Sequence, residues 1–218
     1  MSGELMMERR SVGPAAGQLG SSRLSGSLSR AGTAALTSSL AEPPSPSKPG
    51  SMEDAIRMWL KIGNVERLQG AVLDGYGWFL RDQTSRISKV NKFLRKVPDF
   101  QEKIDLIHDL TIRGELGRLK VMLDRKIWIT ARDHFGHSPM HKAVMANQEA
   151  ILRFLIQEFP ESISFKDNEG RTPLHYASAL KGTTQGVNKL FDFLVEAGAD
   201  ENVVDIQGKP PLYYKDNP

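Results

Sequence analysis

Apolar positions divide the chain in two. Up to residue 50 there is no aromatic residue and no isoleucine, and Ser, Gly, Ala, Leu and Pro dominate, ending in Pro43-Pro44-Ser45-Pro46-Ser47-Lys48-Pro49-Gly50. Such a stretch holds too little apolar surface to offset the entropy of ordering it, so a disordered tail is expected over 1–50. From Met52 onward apolar side chains return at helical spacing. Ile151, Leu152, Leu155 and Ile156 form a one-sided stripe, and so do Leu190, Phe191, Phe193 and Leu194. A further stripe, Ile87, Val90, Leu94 and Val97, predicts a helix near 86–97 that Pro98 closes. The pattern predicts an all-α domain over 51–218.

The helical part repeats itself. Asp133-His134-Phe135-Gly136-His137-Ser138-Pro139-Met140-His141 recurs 34 residues later as Asp167-Asn168-Glu169-Gly170-Arg171-Thr172-Pro173-Leu174-His175. A third copy opens at Asp205-Ile206-Gln207-Gly208-Lys209-Pro210-Pro211-Leu212-Tyr213. Asp followed by Gly suits a tight turn, Ser138 or Thr172 caps a helix, and Pro139 or Pro173 fills its first position. Each turn therefore feeds a helix, and Ala143 and Ala177 follow inside it. Gly198 is placed as a left-handed C-cap of the second helix. A fainter register continues upstream, where Gly63 and Gly114, Leu68 and Leu119, and Asp82 and Asp133 are each 51 apart. Asp54 and Asp105 fall at the cap position, and His108 takes the histidine slot.

These motifs resemble the ankyrin-repeat family, over about 165 residues and most closely from Asp133 to Asp205. The resemblance implies a solenoid of stacked helix-turn-helix units with short β-turn fingers, in units near 53–81, 82–132 with the inserted basic helix, 133–166, 167–204 and a partial 205–218. It makes His141 and His175 framework residues that order the capping Ser or Thr. It also implies that a partner protein is held by finger tips and the exposed side of the first helices. Carried over by register, those positions are His134, Phe135, His137, Met145 and Ala146, then Asn168, Glu169, Arg171, Ala179 and Leu180, then Ile206, Gln207 and Lys209. The segment Lys181–Gly186 lengthens the link between two helices and reads as a surface loop.

Charge adds one feature. The net formal charge is only +3, from 29 cationic and 26 anionic side chains, which gives no general case for nucleic acid. Locally, Ser85 to Lys103 holds six cations and two anions. Lys89, Lys92, Arg95 and Lys96 lie away from the apolar stripe, as on helices that contact an acidic partner, a calmodulin-like protein or an anionic membrane surface. The plainer reading, a packed helix with a solvated basic face, is preferred. In the tail, Ser45-Pro46 fits a proline-directed phosphorylation site, with a stiff linker as the preferred reading. The tail's Arg and Ser also suit a mitochondrial transit peptide, though Glu4 and Glu8 oppose it.

With no cysteine, disulfides, thiol nucleophiles and Cys-ligated zinc are excluded. His134, His137 and His141 straddle a turn and a helix start and do not read as a metal site. No nucleophile elbow, phosphate-cradling glycine loop or HExxH sequence is present, so no catalytic residue, cofactor or small-molecule substrate is expected. No apolar run spans a membrane. The sequence thus predicts a non-enzymatic, cytoplasmic adaptor or scaffold, with cytoskeletal or nuclear association open. The alternative is a targeting or regulatory subunit acting through Ile87 to Val97. Because Gly208 and Pro211-Leu212 keep the motif up to Pro218, the array is expected to continue in a longer form. The contrary expectation is that Leu212, Tyr213 and Tyr214 cover its end.

Overall fold

The structure, a computed structural model, describes residues 51–181 and 188–217. The expected tail with Ser45, and most of the Lys181–Gly186 loop, lie outside the described residues. Within them every regular element is helical, and there is no strand.

Pairs of antiparallel helices follow one another. Helix α1 (Met52–Ile62) packs on α2 (Val65–Ala71), and Gly63 ends α1 with φ 78° and its N–H on the Trp59 carbonyl. A wide turn over Val72–Tyr76 leads to α3 (Gly77–Arg81) and, after a loop, to α4 (Ser88–Leu94). Helix α5 (Val97–Arg113) packs on α6 (Leu116–Met122), α7 (Pro139–Met145) on α8 (Glu149–Glu158), and α9 (Pro173–Lys181) on α10 (Asn188–Glu196). A short α11 (Tyr213–Asp216) closes on α9. The first helices form a row, α5 against α7, α7 against α9, α9 against α11.

The core runs through this stack, with Ile56, Leu68, Leu80, Ile104, Ile107, Leu119, Met140, Leu152, Leu155, Leu174 and Leu194 fully buried. No pair has a core of its own, since the buried residues form one cluster in which each stripe is covered by its partner helix and by the neighbouring pairs. The stripes at Ile151, Leu152 and Leu155 and at Leu190, Phe191 and Leu194 are buried; Ile156 and Phe193 are half-buried.

Two local expectations are corrected. Pro98 does not close the basic helix; it lies in the first turn of α5, where a missing N–H costs nothing, while α4 ends at Leu94. Asp105 is not an N-cap, because α5 begins eight residues earlier, at Val97, and its carboxylate accepts from Gln101 instead. Asp54 likewise sits inside α1, preceded by Ser51 at the cap position. Both helices extend past the motif because Met52 and Val97 supply buried or half-buried apolar contacts before it.

Candidate functional site

Each finger is built the same way from one aspartate. Asp133, Asp167 and Asp205 each use one carboxylate oxygen to accept two backbone N–H groups further along the turn, those of Phe135 and His137, Glu169 and Arg171, and Gln207 and Lys209. Their backbones also pair across the turn, Asp133 with His137 at 3.1 Å and Asp167 with Arg171 at 2.9 Å. Gly136, Gly170 and Gly208 complete the turns at φ 85°, 74° and 74°, where a side chain would be strained. Neighbouring fingers then join by Asn168 N–H to the Phe135 carbonyl (3.1 Å) and Ile206 N–H to the Glu169 carbonyl (2.9 Å).

The other oxygen of each aspartate reaches nine residues on, to the first helix. Asp133 pairs with Lys142 at 2.6 Å, Asp167 accepts from the Tyr176 hydroxyl, and Asp205 accepts from the Tyr214 hydroxyl. Burial works against the Asp133 carboxylate, and hydrogen bonds from His137 and Lys142 override it, so its pKa lies below the usual range. Burial, followed by the bond to Asp167, pushes the Tyr176 hydroxyl well up.

The histidines of the helix starts tie units together. Ser138 and its hydroxyl meet His141 Nδ1 at 3.2 and 2.9 Å, and His141 Nε2 meets the Arg171 carbonyl at 3.1 Å. His175 repeats this with Thr172 (3.0 and 2.9 Å) and the Lys209 carbonyl (3.3 Å). Burial lowers the pKa of His141 to about 4. His108, in the same slot one unit earlier, is buried with neither ring nitrogen hydrogen-bonded among the described residues, because Asp105 replaces the capping hydroxyl and points elsewhere.

A family model described as "Ankyrin repeats (3 copies)" matches residues 107–205. The chain is an ankyrin-repeat protein. Over 155 residues it is 32% identical to the Target of rapamycin complex 2 subunit AVO2 of Saccharomyces cerevisiae, covering 67% of this chain and 33% of that protein. Over 95 residues it is 32% identical to human Neurogenic locus notch homolog protein 2 and 28% to human Neurogenic locus notch homolog protein 1, covering 44% of this chain and 4% of each. The chain thus spans a third or less of these relatives. Ankyrin repeats are in general protein–protein interaction modules and are typically non-catalytic.

On the ankyrin framework the positions carried over by register fall into two sets. The fingers gather His134, Phe135, Asn168, Glu169, Ile206 and Gln207, all exposed, with the His134 and Phe135 rings 3.8 Å apart. Asn168 also donates its amide to the His134 carbonyl at 3.0 Å, and Lys209 stays half-buried. The ends of α7 and α9 hold Met145, which is exposed, and Ala146, Ala179 and Leu180, which are half-buried. His137 stands apart from both sets. It is buried, with Nδ1 3.1 Å from Asp133 and Nε2 2.9 Å from the Tyr176 hydroxyl, so its ring serves the joint between units. Arg171 is drawn in similarly, over the Tyr214 ring and 4.0 Å from Asp205.

Sequence reasoning missed a neighbouring recess of about 490 Å³ beside the Asp133 finger, walled by Trp78, Arg81, Gln101 and Asp105 together with Gly75, Asp133 and His134. Trp78 is 53% exposed there. Its signal was a tryptophan just after Gly75 and Gly77, in a stretch too degenerate to align with the motif. Among the described residues no His, Asp or Glu group is arranged to hold a metal ion, and no helix is long and apolar enough to cross a membrane.

Proposed function

We propose that the chain is a cytoplasmic adaptor that binds a partner protein through the groove formed by its finger tips and first helices. The observation that carries this reading is the exposure of large apolar side chains there: Phe135 (56%), Met145 (41%) and Ile206 (68%), with Trp78 beside them. Phe135 and Ile206, held out by rigid turns, lose little entropy on binding, and large exposed apolar groups mark a protein interface. The fingers are rigid by construction, since each is pinned by its aspartate and by its neighbour. Membership of a multisubunit complex by the yeast relative, stated in its name, supports an adaptor role.

The basic helix is the second candidate surface. Lys89, Lys92, Arg95 and Lys96 are exposed and carry no ion pair among the described residues, while Val90, Phe93 and Leu94 are buried beneath them. This favours a packed helix with a solvated face. Affinity capture with the full chain tests the ranking. Phe135→Ala with Met145→Ala abolishes capture on this reading while leaving the circular dichroism spectrum intact, and charge reversal at Lys92 and Arg95 does less. The opposite order would move the function to α4.

A further inference from the structure

We propose that the recess between the end of α1 and the loop Gln83–Ile87 binds a phosphate monoester carried by a partner protein. This site lies apart from the groove and uses none of its residues. The recess has a volume of about 500 Å³, and Arg57, Lys61 and Arg86 line it with no carboxylate among the lining residues. Among the described residues neither Lys61 nor Arg86 has an ion-pair partner. Arg57 is held in place, 2.8 Å from Asp54 and with its guanidinium 5.4 Å from the Phe79 ring centroid.

The loop itself is preorganised by Ser85. Its hydroxyl donates to the Leu60 carbonyl at 3.1 Å and accepts the Ile87 N–H at 3.2 Å, and its backbone N–H and carbonyl both engage the Asn91 side chain. The N–H groups of Thr84 and Arg86 flank this staple, and no hydrogen bond engages either one or the Thr84 hydroxyl among the described residues. Gly63, at φ 78°, keeps the contact close, for a Cβ there would stand 2.9 Å from Ile87 and 3.1 Å from the Lys89 side chain.

A C-terminal helix end repels anions, but the Trp59 carbonyl already accepts from Gly63 and Asn64, and the Leu60 carbonyl from Ser85. Two unpaired cations, a third shared with Asp54, and free amide donors exceed what one carboxylate satisfies, and they match a dianion with three acceptor oxygens. Leu60 and Ile87 in the lining give apolar room for the carbon that bears it. A membrane headgroup fits less well. Contact with a bilayer uses an apolar face, and that of α4 is spent in the core, with Val90 0%, Phe93 7% and Leu94 8% exposed.

The test is amide NMR on the full chain titrated with the peptide Gly-Gly-phosphoserine-Gly-Gly, its unphosphorylated twin, inorganic phosphate, and vesicles containing phosphatidylserine. The phosphopeptide is expected to shift the Thr84 and Arg86 amides, with the serine peptide silent and inorganic phosphate weaker. Lys61→Glu with Arg86→Glu weakens it at least roughly tenfold, from the loss of two charge-assisted contacts, and the Gln pair weakens it less. Lys92→Glu with Arg95→Glu, an equal charge change at exposed residues that do not line the recess, weakens it less than about twofold, because solvent and salt screen exposed charges. Phe135→Ala with Met145→Ala leaves it unchanged, which separates this site from the groove. Unmoved amides, equal effects of the two reversals, inorganic phosphate binding as tightly as the peptide, or vesicles binding where the peptide does not would each overturn the proposal.

Discussion

Two histidines in the same motif slot should respond oppositely to one substitution. In His141→Leu, the Ser138 N–H and hydroxyl and the Arg171 carbonyl lose their ring partner, and Ser138 is fully buried. Each stranded buried group costs about 1–3 kcal/mol, and the hydroxyl is free to rotate, so a loss of about 3 kcal/mol is expected. In His108→Leu no well-formed bond is lost, because among the described residues the ring has only a loose contact with the Ala131 backbone, and a desolvated polar ring gives way to an apolar side chain. That change should be neutral or stabilising by about 1 kcal/mol. The gain in helix propensity on going from His to Leu is common to both and cancels in the comparison. Guanidinium unfolding followed by circular dichroism reads the difference directly. For an array of this size the midpoint temperatures should separate by roughly 6–12 °C. If His108→Leu destabilises as much as His141→Leu, the Ala131 contact is a full hydrogen bond, and the bonds from His141 to Ser138 and Arg171 are not what distinguishes the units.

Other outcomes follow from the same geometry. Folded-state pKa values of His108 and His141 are lowered to about 4 by burial, so the unfolded chain binds more protons between pH 4 and 6.5. Stability should fall by on the order of 2–4 kcal/mol from pH 7 to pH 5, and His108→Leu should remove part of that slope in an unfolding titration. A flat profile would contradict it. Gly136→Ala places a Cβ 2.4 Å from the Asn168 side chain and 2.6 Å from its backbone nitrogen, whereas Gly208→Ala meets nothing within 4 Å. The first should therefore lose clearly more stability than the roughly 1 kcal/mol of left-handed strain that the second pays. Thr172→Ala removes the hydroxyl bonded to His175 at 2.9 Å and should cost about 1 kcal/mol by chemical denaturation, with no change meaning that the cap is dispensable.

What could be read from the sequence was whatever local punctuation dictates. Asp133, Gly136, Ser138 and Pro139 each fix one backbone feature within a few residues, so the turn and the helix start were visible without knowing the fold. The start of α5 was not. A lone Asp105 resembles a cap only if the preceding residues are not helical, and Val97, Phe100 and Ile104 pack well enough to carry the helix through it. The role of His137 was hidden for another reason. His137, Arg171 and Lys209 look variable and exposed in the motif, yet His137 turns inward because Tyr176 of the next unit offers its ring nitrogen a partner. The contacts from Asp133, Asp167 and Asp205 to Lys142, Tyr176 and Tyr214 are legible only when three copies are aligned nine residues past the aspartate.

Hydrogen exchange of the full chain, free and bound to its captured partner, decides whether the groove is the binding surface. Binding through the groove predicts added protection at the finger residues His134–Phe135, Asn168–Glu169 and Ile206–Gln207 and at the end of α7 around Met145, with α4 unchanged. Protection confined to α4 and the Gln83–Ile87 loop, with the fingers exchanging as in the free chain, would contradict it.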